Sequence, residues 1–122
     1  PYLATIGPGL RIYHGRGLVI SDTTTLGADI TLFGGVTIGR RDQIDDDGTR
    51  HELGAPVLCD RAWVGPNALI IGPIHVGEGA RVAGGAVVFK DVPARTIVAG
   101  NPATVIKTDA PLDVYHPSQD LP

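Results

Sequence analysis

The stretch from Leu58 to Val92, LCDRAWVGPNALIIGPIHVGEGARVAGGAVVFKDV, carries an aliphatic residue at every sixth position: Leu58, Val64, Ile70, Val76, Val82 and Val88. Four residues after each stands a small or β-branched side chain: Ala62, Ala68, Ile74, Ala80, Ala86 and Val92. An amphipathic helix repeats at about 3.6 residues and an ordinary strand at about 2, and neither produces a beat of six. A short strand followed by a turn of constant length does, and a fixed hexapeptide period marks a parallel β-helix. Outward from this stretch the beat stands again at Leu26, Leu32 and Ile38, and before those at Ile6, Ile12 and Leu18.

The residues between the beats have the character of corners. Gly7, Gly27, Gly39, Gly65 and Gly77 directly follow an aliphatic position. Gly9, Gly15, Asp29, Gly35, Asn67, Gly79, Gly85 and Asp91 stand two residues further on. Gly, Asn and Asp tolerate φ > 0, which the third position of a type II turn demands. The 17 glycines are therefore repeating corners. A low-complexity linker is excluded, because the aliphatic beat continues between them.

Three hexads close one triangular coil, and the beats make about four to five coils stacked at about 4.8 Å. The expected fold is all-β: a parallel β-helix over residues 1–107, with a tail at 108–122 that runs off the prism. Residues 40–56 lack the beat and carry much of the charge, so they form a loop excursion from one corner; a loop this long in a compact repeat is functional or disordered. The hexad count also places Arg16 inward. So thin a prism buries only a narrow column for its 122 residues, and its outward faces need cover. A homotrimer, or a dimer of trimers, supplies it.

Composition bounds the rest. With 43% hydrophobic and 19% charged residues the chain is one soluble domain, without an apolar run long enough to span a membrane. A net charge of −3 and 5% aromatic residues argue against nucleic acid as a partner, since such binders show a basic face with stacking rings. The single Cys59 is compatible with a reducing compartment, and no secretory signal is present, so a cytoplasmic location is expected. The chain opens on Pro1 inside the repeat and has no Met, so its natural N-terminus is expected upstream.

Two further stretches carry a family resemblance. Ile12-Tyr13-His14-Gly15-Arg16-Gly17-Leu18-Val19-Ile20 resembles the catalytic-histidine coil of serine acetyltransferases and related hexapeptide-repeat O-acetyltransferases. Thr49-Arg50-His51 resembles the Arg-His pair in that family's loop, and Ala99-Gly100-Asn101-Pro102-Ala103 its terminal Gly-x-Pro-Ala signature. The resemblance covers residues 6 to about 107 and implies a left-handed coil, against the usual right-handed crossover. It implies acetyl-CoA as co-substrate, no metal, and a small-molecule acceptor bearing a hydroxyl.

The chemistry follows residue by residue. A neutral hydroxyl is a poor nucleophile, so acetyl transfer from a thioester needs a base, and histidine is largely neutral at cytosolic pH. The resemblance makes His14 that base; by position alone it is equally a surface turn histidine. It makes His51 a second catalytic contact to the acceptor, where an ordinary loop histidine is the alternative. Arg50 would hold an oxygen-rich group of the acceptor through paired hydrogen bonds, or form an ion pair with Asp45, Asp46 or Asp47. Tyr13 would line the acceptor site, and Arg40, Gly65, Gly84 and Lys90 the coenzyme site. Arg81, Arg95 and Lys107 lie in the same later coils, and Cys59 is structural. Serine acetyltransferases have Asp directly before the histidine, whereas Tyr13 is similar to short members acting on sugars; the acceptor is L-serine or a sugar hydroxyl.

Two other classes stay open. A γ-class carbonic anhydrase shares the coil and binds zinc with closely spaced histidines from neighbouring subunits, but His14, His51, His75 and His116 are far apart in sequence. A non-catalytic β-helix used as an assembly module leaves the histidine coil and the Arg-His pair without a purpose.

Overall fold

A computed structural model describes residues 4–111, which form a left-handed parallel β-helix made of strands alone. Each hexad contributes one short strand to one of three faces. Face A holds β1 (Thr5–Ile6), β4 (Thr25–Leu26), β9 (Val57–Leu58) and β12 (His75–Val76). Face B holds β2 (Arg11–Tyr13), β5 (Thr31–Phe33), β10 (Trp63–Val64), β13 (Arg81–Val82), β15 (Ile97–Gly100) and β16 (Ala103–Lys107). Face C holds β3 (Val19–Ile20), β6 (Thr37–Gly39), β11 (Leu69–Ile71) and β14 (Val87–Val88). A separate hairpin pairs β7 (Arg41–Ile44) with β8 (Arg50–Gly54).

The register confirms the beat from the second coil onward. Leu26 pairs with Leu58, and Val76 lies above; Leu32, Val64 and Val82 form the second column, Ile38, Ile70 and Val88 the third. All nine are at most 2% exposed. A fifth, shorter coil adds Val92 over Val76 and Val98 over Val82. Aliphatic side chains point inward because alternate residues of a strand face opposite sides, and their removal from water is the main favourable term.

The first coil departs from the expected count. Ile20, not Leu18, pairs with Ile38, and Leu18 packs against the core from the position before the strand. The chain crosses from Tyr13 to Val19 where the next coil crosses from Phe33 to Thr37, so this corner is two residues longer. Arg16 lies within the enlarged corner and is exposed. The hexad count had put it inward; the insertion moves it out, which removes the problem of a buried guanidinium.

Corner chemistry is also finer than expected. Left-handed backbone occurs at Gly9, Asp29, Gly35, Asn67, Gly79 and Gly85 as anticipated, but not at Gly15 or Asp91. Thr23, Arg61 and Arg95 adopt it as well, with φ of 63°, 63° and 57°. The glycines directly after an aliphatic residue serve a different purpose. A Cβ on Gly65 would meet the Gly84 nitrogen at 2.7 Å, so Gly7, Gly27, Gly65 and Gly77 are small because backbones of stacked coils touch there, while Gly39 makes room for the Ile71 side chain. Gly34 is the same case: a Cβ there would overlap the His14 carbonyl oxygen.

The two breaks in the pattern take definite shapes. The 40–56 excursion leaves between faces C and A as the β7–β8 hairpin. At the other end the chain reverses after Gly100, and β16 pairs antiparallel with β15, covering what would be an open parallel edge. Residues 108–111 do not run off the prism as expected. The Ala110 amide donates to the Arg95 carbonyl at 2.8 Å, Arg95 Nε to the Ala110 carbonyl at 3.1 Å, and Arg81 Nη2 to the Pro111 carbonyl at 2.9 Å. These bonds bury Ala110 completely. The remainder of that expected tail lies outside the described residues.

Three substitutions test this packing by chemical denaturation at fixed protein concentration. Ile70→Ala should cost about 2–5 kcal/mol, the range for a truncated core side chain. Ile12→Ala should cost clearly less, because Ile12 is 47% exposed at the end of the column. Gly34→Ala should cost about 1–3 kcal/mol through overpacking against the His14 corner; stability equal to the parent would contradict the close approach.

Candidate active site

His14 sits in a corner that is two residues longer than its neighbour above. His14, Gly15, Arg16 and Gly17 are all exposed there. The corner closes on itself: the Arg16 amide donates to the His14 carbonyl at 2.8 Å, and the Gly35 amide of the next coil donates to the Arg16 carbonyl at 2.9 Å. His14 has φ 51°. Strained backbone often accompanies function, but Thr23, Arg61 and Arg95 share the conformation at other corners, so φ alone does not single out His14. Its exposure on an enlarged, glycine-bordered corner does.

Tyr13, expected at the acceptor, enters an aromatic stack on the outer side of face B. Its ring lies 5.3 Å from that of Phe33 at 27°, and Phe33 lies 4.9 Å from Trp63. Such offset contacts add about 0.5–1.5 kcal/mol each beyond burial. The stack ties the residue before His14 to the second and third coils. Sequence reasoning missed it, because the beat aligns Tyr13 with Phe33 without showing that the two rings touch.

The edge between faces B and C continues from His14 through Gly34 and Gly35 to Gly65, Asn67, Gly84 and Gly85. Gly65 and Gly84, expected at the coenzyme, thus share an edge with His14. Their small size has an intrachain cause as well, since the two corners stack directly.

The opposite edge of face C carries the charged residues. Arg40 stands at the base of the hairpin, 3.6 Å from Asp22, 3.8 Å from Asp42 and 3.5 Å from Glu52. Asp42 Oδ1 is buried without a hydrogen bond, and Arg40 Nε is the charge beside it. Arg40, expected at the coenzyme, therefore binds both hairpin strands to the prism. Lys90 lies further along this edge and lines a cleft of about 230 Å³ with Phe89, Val92, Val98, Pro102 and Val105. Arg81 and Arg95 hold the returning chain, as described above.

The hairpin places Arg50 and His51 on opposite sides. Successive strand residues alternate, and the pairing of Asp42 with Glu52 and of Gln43 with His51 shows which groups share a side. Arg50 Nε lies 4.0 Å from Asp42, beside Arg40 and Glu52. His51 Nε2 lies 2.7 Å from Asp45 Oδ2 on the other side. At the tip, the Thr49 amide donates to the Asp47 carboxylate at 2.9 Å, which holds that carboxyl below its ordinary range. A depressed carboxylate contributes above its unfolded value and loses the contribution as pH falls through the folded one; Asp47 is fully exposed, so this cap orders the tip and little more.

Between the two edges, face C presents Val19, Leu69, Ile71, Val87 and Phe89 outward. Face A shows Thr25, Val57, Cys59 and His75 instead, with Cys59 half-buried beside Asp60. One chain does not bring His14 and His51 together: they belong to opposite edges of face C, which is about 20 Å wide for six residues at about 3.3 Å each. Among the described residues no group of three His, Cys, Asp or Glu is placed to hold a metal ion; His116 lies outside them.

Known proteins share this architecture. The family profile described as bacterial transferase hexapeptide (six repeats) matches residues 55–90. The serine acetyltransferase of Bacillus pumilus is 39% identical, over 98% of this chain and 52% of its own length. That of Helicobacter pylori is 40% identical, over 87% of this chain and 58% of its own. Among solved structures, the serine acetyltransferase of Neisseria gonorrhoeae superposes with a TM-score of 0.78 at 31% identity, covering 98% of this chain and 44% of that one. A Brucella abortus serine acetyltransferase in complex with coenzyme A gives 0.76 at 31%, covering 91% and 42%. The chain spans from 27 to 58% of the length of the curated relatives it matches. By its repeat, its coil and its sequence, the chain is a hexapeptide-repeat β-helix similar to the serine acetyltransferases.

Proposed function

We propose that this β-helix is the catalytic part of an acetyl-CoA-dependent O-acetyltransferase acting on serine, with each site shared between two subunits of a homotrimer. The observation that carries this is the split of the candidate residues across one apolar face. Tyr13, His14, Gly65 and Gly84 lie on one edge of face C, and Arg40, Arg50, His51 and Lys90 on the other. A three-fold rotation makes a heterologous contact, in which one edge of a subunit meets the opposite edge of the next. It would cover the apolar face and join the two halves of the site.

In this reading the neutral imidazole of His14 takes the proton of the acceptor hydroxyl as that oxygen attacks the thioester carbonyl. The carbon–sulfur bond then breaks, and the proton passes from the imidazolium to the departing thiolate. The small corners at Gly65 and Gly84 let the extended arm of the coenzyme approach the backbone, and Lys90, on the edge that the next subunit would bring to them, would meet a phosphate. Serine is favoured as acceptor by the names of the relatives. Tyr13 offers no carboxylate beside His14, so sugar hydroxyls belong in the same assay.

The test is release of free coenzyme A thiol with L-serine and with sugar acceptors. His14→Ala should lower kcat about 10²- to 10⁴-fold, the usual contribution of a general base, while acetyl-CoA binding by calorimetry stays unchanged. Near-full turnover in His14→Ala on the best acceptor would contradict the assignment.

A further inference from the structure

The hairpin contains a carboxylate–histidine pair that the family resemblance did not point to. Asp45 begins the turn, and its backbone is fixed twice: its amide donates to the Thr49 carbonyl at 2.8 Å, and its carbonyl accepts from the Gly48 amide at 2.9 Å. Asp45 is thereby set opposite Thr49, which stands two residues before His51. Asp45 Oδ2 lies 2.7 Å from His51 Nε2. An ionised carboxylate is an acceptor only, so Nε2 must carry the proton, and Nδ1 of the neutral ring is left as an acceptor. Gln43 pairs with His51 across the hairpin, and Arg41, two residues before it, extends past Gly72, while Arg40, Asp42, Arg50 and Glu52 occupy the other side; Asp45 is the charged group hydrogen-bonded to this ring.

We propose that Asp45 is a positioning residue: it fixes the tautomer and orientation of His51, so that the hairpin presents Nδ1 to the acceptor bound at the neighbouring subunit's His14. This rests on the proposed role of His51 at the acceptor. Carboxylates that hold an imidazole in one tautomer serve catalysis elsewhere without themselves taking the proton. Here the pair is exposed, His51 by 50% and Asp45 by 41% of their side chains. The pair therefore sets direction more than it adds stability.

Two measurements on the full chain test this. Nitrogen-15 NMR of the imidazoles, with His51 assigned by the signal lost in His51→Ala, should show the Nε2–H tautomer in the parent and a mixture in Asp45→Ala. Asp45→Asn keeps the turn but offers a donor as well as an acceptor, and should also loosen the tautomer. An unchanged tautomer in both variants overturns the proposal. In the acetyl-transfer assay Asp45→Ala should lower kcat roughly 10- to 100-fold, as loss of a histidine's carboxylate partner does at metal sites, with KM for acetyl-CoA unaltered. In a His51→Ala background the same change should cost less than about twofold, because the two residues act as one unit. An equal loss in that background would make Asp45 a merely structural turn residue. If the parent transfers no acetyl group, the functional reading fails, and the tautomer measurement still decides whether Asp45 sets the ring.

Discussion

Coils stacked at about 4.8 Å leave room at the corners for backbone and little else. This steric limit governs the rest of the molecule. It makes Gly34, Gly65 and Gly77 necessary where stacked backbones touch, and left-handed backbone necessary at Asp29, Asn67 and even Arg61. It also forces any extra residue outward. The chain accommodates additions at two edges of the prism, a two-residue insertion at His14 and the β7–β8 hairpin after Gly39. Candidate chemistry is found at both, because a corner is where the repeat can be altered without disturbing the aliphatic column.

The two edges differ in physical character. The His14 edge is small, open and nearly uncharged, held by the Tyr13–Phe33–Trp63 stack and by backbone bonds. The hairpin edge is charged, and its order comes from Arg40 reaching Asp22 on the prism and Asp42 and Glu52 on the hairpin. Single exposed ion pairs contribute only about 0–1 kcal/mol. A guanidinium shared among three carboxylates fixes orientation all the same, since its planar fork loses little freedom per contact. An aromatic and backbone frame on one edge and an ionic frame on the other suit an open groove and an arm that reaches into it.

The aliphatic columns, the glycine corners and the place of the excursion were legible in the sequence, because each is a local choice repeated many times. The registers of Leu58, Val64 and Ile70 against Val76, Val82 and Val88 follow directly from the spacing. Leu18 against Ile20 was not legible: both are aliphatic, and only pairing with Ile38 separates them. The hairpin within 40–56 was hidden because its strands Arg-Asp-Gln-Ile and Arg-His-Glu-Leu-Gly are polar and find their cover in each other and in Arg40. His14 and Arg50-His51 were recognisable by resemblance. Their separation to opposite edges, and the pairing of His51 with Asp45, depend on which corner each coil leaves from, which a motif does not state.

Subunit complementation tests the shared site most directly. His14→Ala and His51→Ala chains, each impaired as a pure trimer, are unfolded together in equal amounts and refolded, and coenzyme A release is compared with the two refolded separately. A site built across subunits regains an intact His14 and His51 at about one quarter of its positions by random assortment around the three-fold, so about a quarter of the parent activity returns. Activity no greater than the sum of the separate variants would contradict a site shared between neighbouring chains.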